Sequence, residues 1–492
     1  MNRAAGIVMS LTSLPSPHGI GTMGRAAYDF IDFLKASGMC WWQVLPLGPT
    51  GYGDSPYASC STYAGNPYLI DLDMLIADGL LSKEDVAGVN WGDDLARTDY
   101  GRIYENRFAV LRRAFERGFA AHRADVARLR RENHWLDDYA LFMALKNHFS
   151  MKAWTEWPEE IRLRRPEAMA RYREKLGGEM DYWCFLQYLF FRQWAKLKAY
   201  AKEQGIRFLG DIPIYVAMDS ADVWAEPKYF QLDELNRATE VAGVPPDAYT
   251  EDGQLWGNPL YRWDVMAADG YGWWIRRIDG ARKLYDAIRI DHFRGLVSYW
   301  AVPAEETTAK HGRWVQGPGY GFVKVIKDWF HDVEFVAEDL GYVTPELGEL
   351  LKKSGFPGMK PLQFAFDPDG DCAYLPHNCE KNSITYGSTH DNETINGWAE
   401  NIDERTRAFA AAYCHKTQGE GWCHAIIRTG MASPSVLFLT QMQDVLDLPG
   451  STRMNAPGTL GGNWTWRLTP GQYTAAHAKK LHELARLYRR AE

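Results

Sequence analysis

Eight short apolar runs that end in polar or acidic residues punctuate this chain, and they limit its fold more than any other feature. Val8 lies in the first (GIVMS) and Val44 in the second (WWQVLPLG). IRFLGD closes on Asp211, AIRID closes on Asp291, and VEFVAED carries Glu338 near its end. MKPLQFAF follows around Leu362, SITYGSTHD runs into Asp391, and SVLFLTQMQD spans Ser435 to Asp444. Buried parallel strands read as continuous apolar runs, because both of their faces are covered. Eight of them with helical patterns between predict an α/β protein, a (β/α)8 TIM barrel.

Their spacing is uneven. The second run lies at 41–48 and the third at 206–211, far more chain than one crossover helix needs. Tyr104 to Arg131 is rich in Arg, Glu, Ala and Leu, and Tyr182 to Tyr200 is dense in aromatics; both read as helix. We read 1–492 as a single catalytic barrel domain with a mainly helical insertion at 63–200. A second insertion, 212–285, carries the Pro- and Gly-rich segment AGVPPDAYTEDGQLWGNP (242–259), a candidate lid. Too little chain follows the eighth run for a separate C-terminal β-domain.

Charge and cysteine usage narrow the function classes. Net charge is −8 with both signs interspersed, and no Lys/Arg block offers the basic face a nucleic-acid partner needs. Seven cysteines, odd in number and without a C-x-x-C pair, suggest neither a disulfide framework nor a zinc site, and fit a reducing compartment. Ser10, Thr12, Ser13 and Pro15 end the first apolar run too early for a signal peptide, and no stretch approaches a membrane span. The expectation is a cytoplasmic protein without membrane or nucleic-acid partners. Aromatic residues make up 14% of the chain, with 20 Trp, and aromatic faces are platforms for the C–H faces of sugar rings as well as core material.

In such barrels the active site lies at the C-terminal ends of the strands. Asp211, Asp291, Glu338 and Asp391 all fall there, and paired carboxylates are what glycosidic bond cleavage requires. Each acid alone reads more often as a helix N-cap or a surface residue; several on different strands of one barrel converge on one mouth. Arg289, two positions before Asp291, points to the same side of a strand, where its guanidinium favours an ionised carboxylate. His390 is placed to donate to a sugar hydroxyl.

Longer blocks then make the chain recognisable. LTSLPSPHGIG (11–21), WWQVLPLGPTGYGDSPYAS (41–59), AGNPYLIDL (64–72), GDIPIYVAMDSADVWA (210–225) and VAGVPPDAYTEDGQLWGNPLY (241–261) occur in order. RIDHFRGLVSYWAVPAEETTAKHGRWVQGPG (289–319), VAEDLGYVTPEL (336–347), GFPGMKPLQFAF (355–366), THDNETINGW (389–398) and RMNAPGTLGGNW (453–464) follow. With these the chain resembles the amylomaltase family of 4-α-glucanotransferases, relatives of the α-amylase superfamily, from about Gly6 to Arg467. GVPPD with QLWGNP separates that family from ordinary α-amylases.

The resemblance implies transfer of α-1,4-linked glucan segments from a donor to the 4-OH of an acceptor glucan or glucose, with retention and no cofactor or metal. The partners it implies are malto-oligosaccharides, starch- or glycogen-derived glucans and glucose. It implies Asp291 as nucleophile, Glu338 as general acid/base and Asp391 as the group that grips sugar hydroxyls in the transition state. Tyr57, Asp211, Trp256, Arg289, His390 and Asn463 match its substrate-binding positions. Two departures are Glu393, where Asp is common, and Ala456, where Thr is usual. Neither is one of the trio, so both bear on acceptor or chain-length preference. An α-amylase-type hydrolase and a non-catalytic glucan-binding protein are the alternatives; chromatography of maltotriose products separates them.

Overall fold

The computed structural model describes residues 1–51, 53–246, 250–341, 344–459 and 461–491. Its strands, in chain order, are β1 (Ala4–Val8), β2 (Trp41–Gln43), β3 (Arg207–Ile212), β4 (Glu240–Val244), β5 (Gln254–Pro259) and β6 (Ala287–Ile290). There follow β7 (Ser298–Pro303), β8 (Arg313–Gln316), β9 (Glu334–Ala337), β10 (Gly358–Pro361), β11 (Ser383–Tyr386) and β12 (Leu437–Gln441). Eight of them, in the order β1-β12-β11-β10-β9-β6-β3-β2, close into a barrel with parallel pairing throughout. All eight apolar runs supply a barrel strand. In the sixth, the strand lies ahead of Leu362: it stops at Pro361, and Leu362–Phe364 forms a 3-10 turn. Proline has no N–H to give the ladder, and it suits the start of a tighter turn.

Alternation along the strands sorts the two faces. Ala4, Val8, Trp41, Leu209, Ala287, Val336, Met359, Ile384, Tyr386, Leu437 and Leu439 fill the interior as one buried cluster. Their neighbours Ala5, Ile7, Trp42, Phe208, Ile288, Phe335 and Phe438 face outward into the larger core beneath the helices. Stepping two residues onward from the interior set, toward the C-terminal end, the side chains turn polar: Gln43, Asp211, Arg289 and Glu338. The apolar plug thus carries a polar roof, and parity decides which residues form it.

Between β2 and β3 the chain is largely helical, with Tyr100–Glu132, Leu136–His148 and Gly177–Glu203 the long elements. Asp99 caps the first by accepting from Arg102 N. The second is apolar almost all round and accordingly buried. Two fully buried glutamines on the third peg a loop to it. Gln187 accepts from Gly65 N (2.8 Å) and donates to Gly65 O (2.9 Å). Gln193 does the same for Asp71 N (2.7 Å) and O (3.1 Å). Each side-chain amide replaces a backbone partner, which anchors the segment just beyond Tyr57.

One feature was not expected. β5-β4-β7-β8 form an antiparallel four-stranded sheet, drawn from chain on both sides of β6. The insertions are therefore not helical alone. Beyond β12 lies the helix Ala475–Leu487, packed on the helix Arg25–Ala36.

Candidate active site

The register of β6 and β9 settles the central geometry. Ile290 lies opposite Ala337, so the next residues, Asp291 and Glu338, leave neighbouring strands side by side, about 4.8 Å apart at the backbone. Glu338 N donates to Ile290 O (3.1 Å) and Phe293 N to Glu338 O (3.0 Å), carrying the pairing past the strand ends. His292 takes a left-handed conformation (φ 49) and turns its N–H onto Glu338 Oε2 (2.7 Å). Leu340 N donates to Oε1 (2.9 Å), so both carboxyl oxygens are held.

Arg289 organises the acids beneath. Its Nη1 lies 2.7 and 2.6 Å from the two oxygens of Asp211 and 2.9 Å from Asp291 Oδ1. The shared side expected for Arg289 and Asp291 is what the strand delivers. Arg289 also favours the ionised form of Asp291, as expected, but burial outweighs it. Burial raises the Asp291 pKa, and Asp211 and Asp391 add to it, while Arg289 only partly offsets them. Glu338 is raised by burial and by Asp291, against Arg289 and its two backbone donors. The two titrate as a pair, at about 6 and about 8.

Asp211 was expected as a substrate contact. Its side chain has 0% exposure, enclosed by Arg289 and by the Tyr57 hydroxyl, which donates to Oδ2 (2.8 Å). It sits behind the site and positions Arg289 and Tyr57. Because the only hydroxyl proton of Tyr57 is committed to Asp211, the 2.8 Å bond between Tyr57 Oη and His390 Nε2 requires a proton on Nε2. That nitrogen is also 3.2 Å from Asp391 Oδ2. Burial opposes charge on His390, yet Asp391 outweighs it and the pKa lies above the ordinary value. Burial likewise opposes ionised Asp391, but His390 and the donors around it hold that carboxyl well below the usual range. Tyr57 and His390 stack at 5.2 Å, with Trp464 tilted against both.

The remaining expected contacts lie further out. Trp256 is 37% exposed on β5, not in a loop, its indole edge-on to His292 at 4.9 Å and donating to Gln254 Oε1 (3.2 Å). Of the candidate lid, residues 247–249 lie outside the described residues. Asn463 spends its amide on its own loop, donating to Thr459 O and Oγ1 and accepting from Ala456 N (3.0 Å). It ties Ala456 and Thr459 together.

Sequence reasoning missed Asn455, whose Nδ2 donates to Asp391 Oδ1 (2.7 Å), and Arg453, which donates to Asp391 O (2.6 Å). Both stand in the RMNAPG block, but no spacing rule links them to a residue over sixty positions earlier. Gln43 and Tyr386, bonded across the roof at 2.9 Å, were legible only from strand parity. Glu393, one of the two departures, reaches Arg453 with its carboxylate (3.7 Å) and so lies one side chain from Asp391.

Comparison with known proteins gives the chain's relatives. A glycoside hydrolase family 77 model, described as 4-alpha-glucanotransferase, matches residues 9–474. The chain is 47% identical over 492 residues to a 4-alpha-glucanotransferase of Streptococcus pneumoniae, covering 99% of this chain and 97% of that one. To the Thermus thermophilus 4-alpha-glucanotransferase it is 46% identical over 498 residues, covering 98% of each. Among solved structures, amylomaltase from Streptococcus agalactiae in complex with acarbose superposes with a TM-score of 0.98 at 43% identity, over 100% of both chains.

Proposed function

The chain belongs to glycoside hydrolase family 77, the 4-alpha-glucanotransferases, and from that premise we propose how its buried carboxyls carry out the transfer. The observation that carries the reading is the side-by-side placement of Asp291 and Glu338, with pair values pushed apart to about 6 and about 8. Near neutral pH one proton is left on the pair, on the group that burial favours most, Glu338. Asp291, the more exposed, is ionised and held by Arg289.

The reaction is a double displacement. An Asp291 oxygen attacks the anomeric carbon as the bond to the glycosidic oxygen breaks, and Glu338 gives that oxygen its proton. The glucan is left esterified to Asp291 in the β configuration. The 4-OH of an acceptor sugar then attacks, Glu338 takes its proton, and the ester bond breaks, restoring the α linkage. Positive charge on the ring carbon peaks midway, and ionised Asp391 beside the ring hydroxyls binds that state more tightly than the ground state. The close spacing of the two acids fits retention, since inverting enzymes need room for a water between them. We place acarbose in the same site, its flattened ring and basic nitrogen imitating the developing charge and the scissile oxygen.

Donors are malto-oligosaccharides or longer α-1,4-glucans, and glucose serves as acceptor. The seven cysteines are unpaired, as suits the cytoplasm; among the described residues no helix is long and apolar enough to cross a membrane. The test is proton NMR and chromatography of a maltotriose digest. We expect glucose and longer oligomers with newly formed linkages purely α, and loss of turnover by at least about 10³-fold in Asp291→Asn. Early β-linked product would end the double-displacement reading.

A further inference from the structure

Asp391 is the one acid of the trio that no strand holds. It lies five residues beyond β11, on a loop, with its side chain part open to the site, so no strand ladder fixes its orientation. A carboxylate rotates broadly about its last bond, and only donors choose its angle. Here the donors come from the loop after β12. Asn455 Nδ2 donates to Asp391 Oδ1 (2.7 Å), while His390 Nε2 faces Oδ2 (3.2 Å). Asn455 N donates to His390 O (3.2 Å). Arg453 stitches the two loops, donating through Nη2 to Asp391 O (2.6 Å) and through Nε to Asn455 O (2.6 Å).

Glu393 backs this arrangement. Its Oε2 is 3.7 Å from Arg453 Nη1, and its Oε1 accepts from Thr394 N (3.1 Å). Room for this acid depends on two glycines: a Cβ on Gly397 would lie 2.7 Å from Glu393 Cγ, and one on Gly450 3.1 Å from Oε1.

We propose that Asn455 and Arg453 are positioning residues for Asp391: Asn455 sets the rotation of its carboxylate, and Arg453, braced by Glu393, sets its backbone. The proposal rests on the reading of Asp391 as the group that grips the transition state. Without Asn455 one oxygen loses its donor and the carboxylate turns away from the ring hydroxyls. The loss falls on the transition state, where that grip is strongest, and spares ground-state binding.

The test uses the full-length enzyme and measures kcat and KM on maltotriose, with affinities for acarbose and for maltose by calorimetry. Asn455→Ala should lower kcat about 10- to 100-fold with KM within about 3-fold. Acarbose should weaken nearly in proportion, and maltose by no more than about 2-fold. Arg453→Lys keeps the charge facing Glu393 but loses the planar fork, and should show the same pattern at smaller size; it carries the test should Asn455→Ala not fold. Turnover within about 2-fold of the parent, or equal loss of acarbose and maltose affinity, overturns the proposal. Asp391→Asn separates the two levels. If it stays active, the reading of Asp391 fails. If it is inactive while Asn455→Ala runs at the parent rate, the positioning role alone fails.

Discussion

Two carboxyls on adjacent strand ends, both sheltered from water, bind protons more tightly than they do in an unfolded chain. Asp291 and Glu338 titrate together at about 6 and about 8. The free enzyme should therefore show a bell-shaped kcat/KM, falling below about 6 as the nucleophile is protonated and above about 8 as the acid is lost. The same shift costs stability. In the folded state both groups hold protons that the unfolded chain releases in the ordinary carboxylate range, so stability declines as pH rises from that range through 8. Glu338→Gln removes most of this, and thermal melts should show it several degrees more stable than the parent at pH 8.5 and no different at pH 4. A variant that melts lower at pH 8.5 contradicts the assignment. Asp211 offers a second check. It is wholly buried against Arg289, and removing one partner of such a pair costs about 3–5 kcal/mol. Asp211→Asn should lose stability of that order in denaturant titrations. It also lifts a negative charge from beside Asp291, so the acid limb of the profile should move to lower pH; an unmoved limb argues against coupling through Arg289.

Among the elements, β5 has the clearest bearing on function. It brings Trp256 edge-on to His292, whose backbone N–H holds Glu338. On the proposed reading, this 37% exposed indole offers a face to an incoming sugar ring. Water is present at about 55 M, so transfer wins only if the acceptor gains by binding and orientation. Trp256→Ala should raise the ratio of hydrolysis to transfer several-fold, read as reducing ends against new oligomers from maltotriose. An unchanged ratio would mean that the indole only packs on the rim. The sheet that carries it was not legible beforehand. β4 and β5 precede β6 while β7 and β8 follow it, and such pairing across an intervening strand leaves no local periodicity. The helices Tyr100–Glu132 and Gly177–Glu203 were legible, because one element's periodicity is written in its own residues.

For the whole molecule, the barrel makes one surface of acids scattered across the chain from 211 to 391. Closure brings β3, β6 and β9 side by side, so that Asp211 lies opposite Arg289 and Ile290 opposite Ala337. The eight apolar runs, their order and the acids at their ends were all readable from the amino-acid sequence, since burial on both faces demands continuous apolar residues wherever the strand falls. The family's motifs suggested roles for those acids. Folding alone decided which contacts each side chain makes. It enclosed Asp211 behind Arg289 and Tyr57, tied the Asn463 amide to its own loop, let burial outweigh Arg289 at Asp291, and set Asn455 and Arg453, backed by Glu393, around Asp391. Those outcomes depend on distances between residues far apart in the chain and on how much water each loses, and neither quantity exists until the strands have closed.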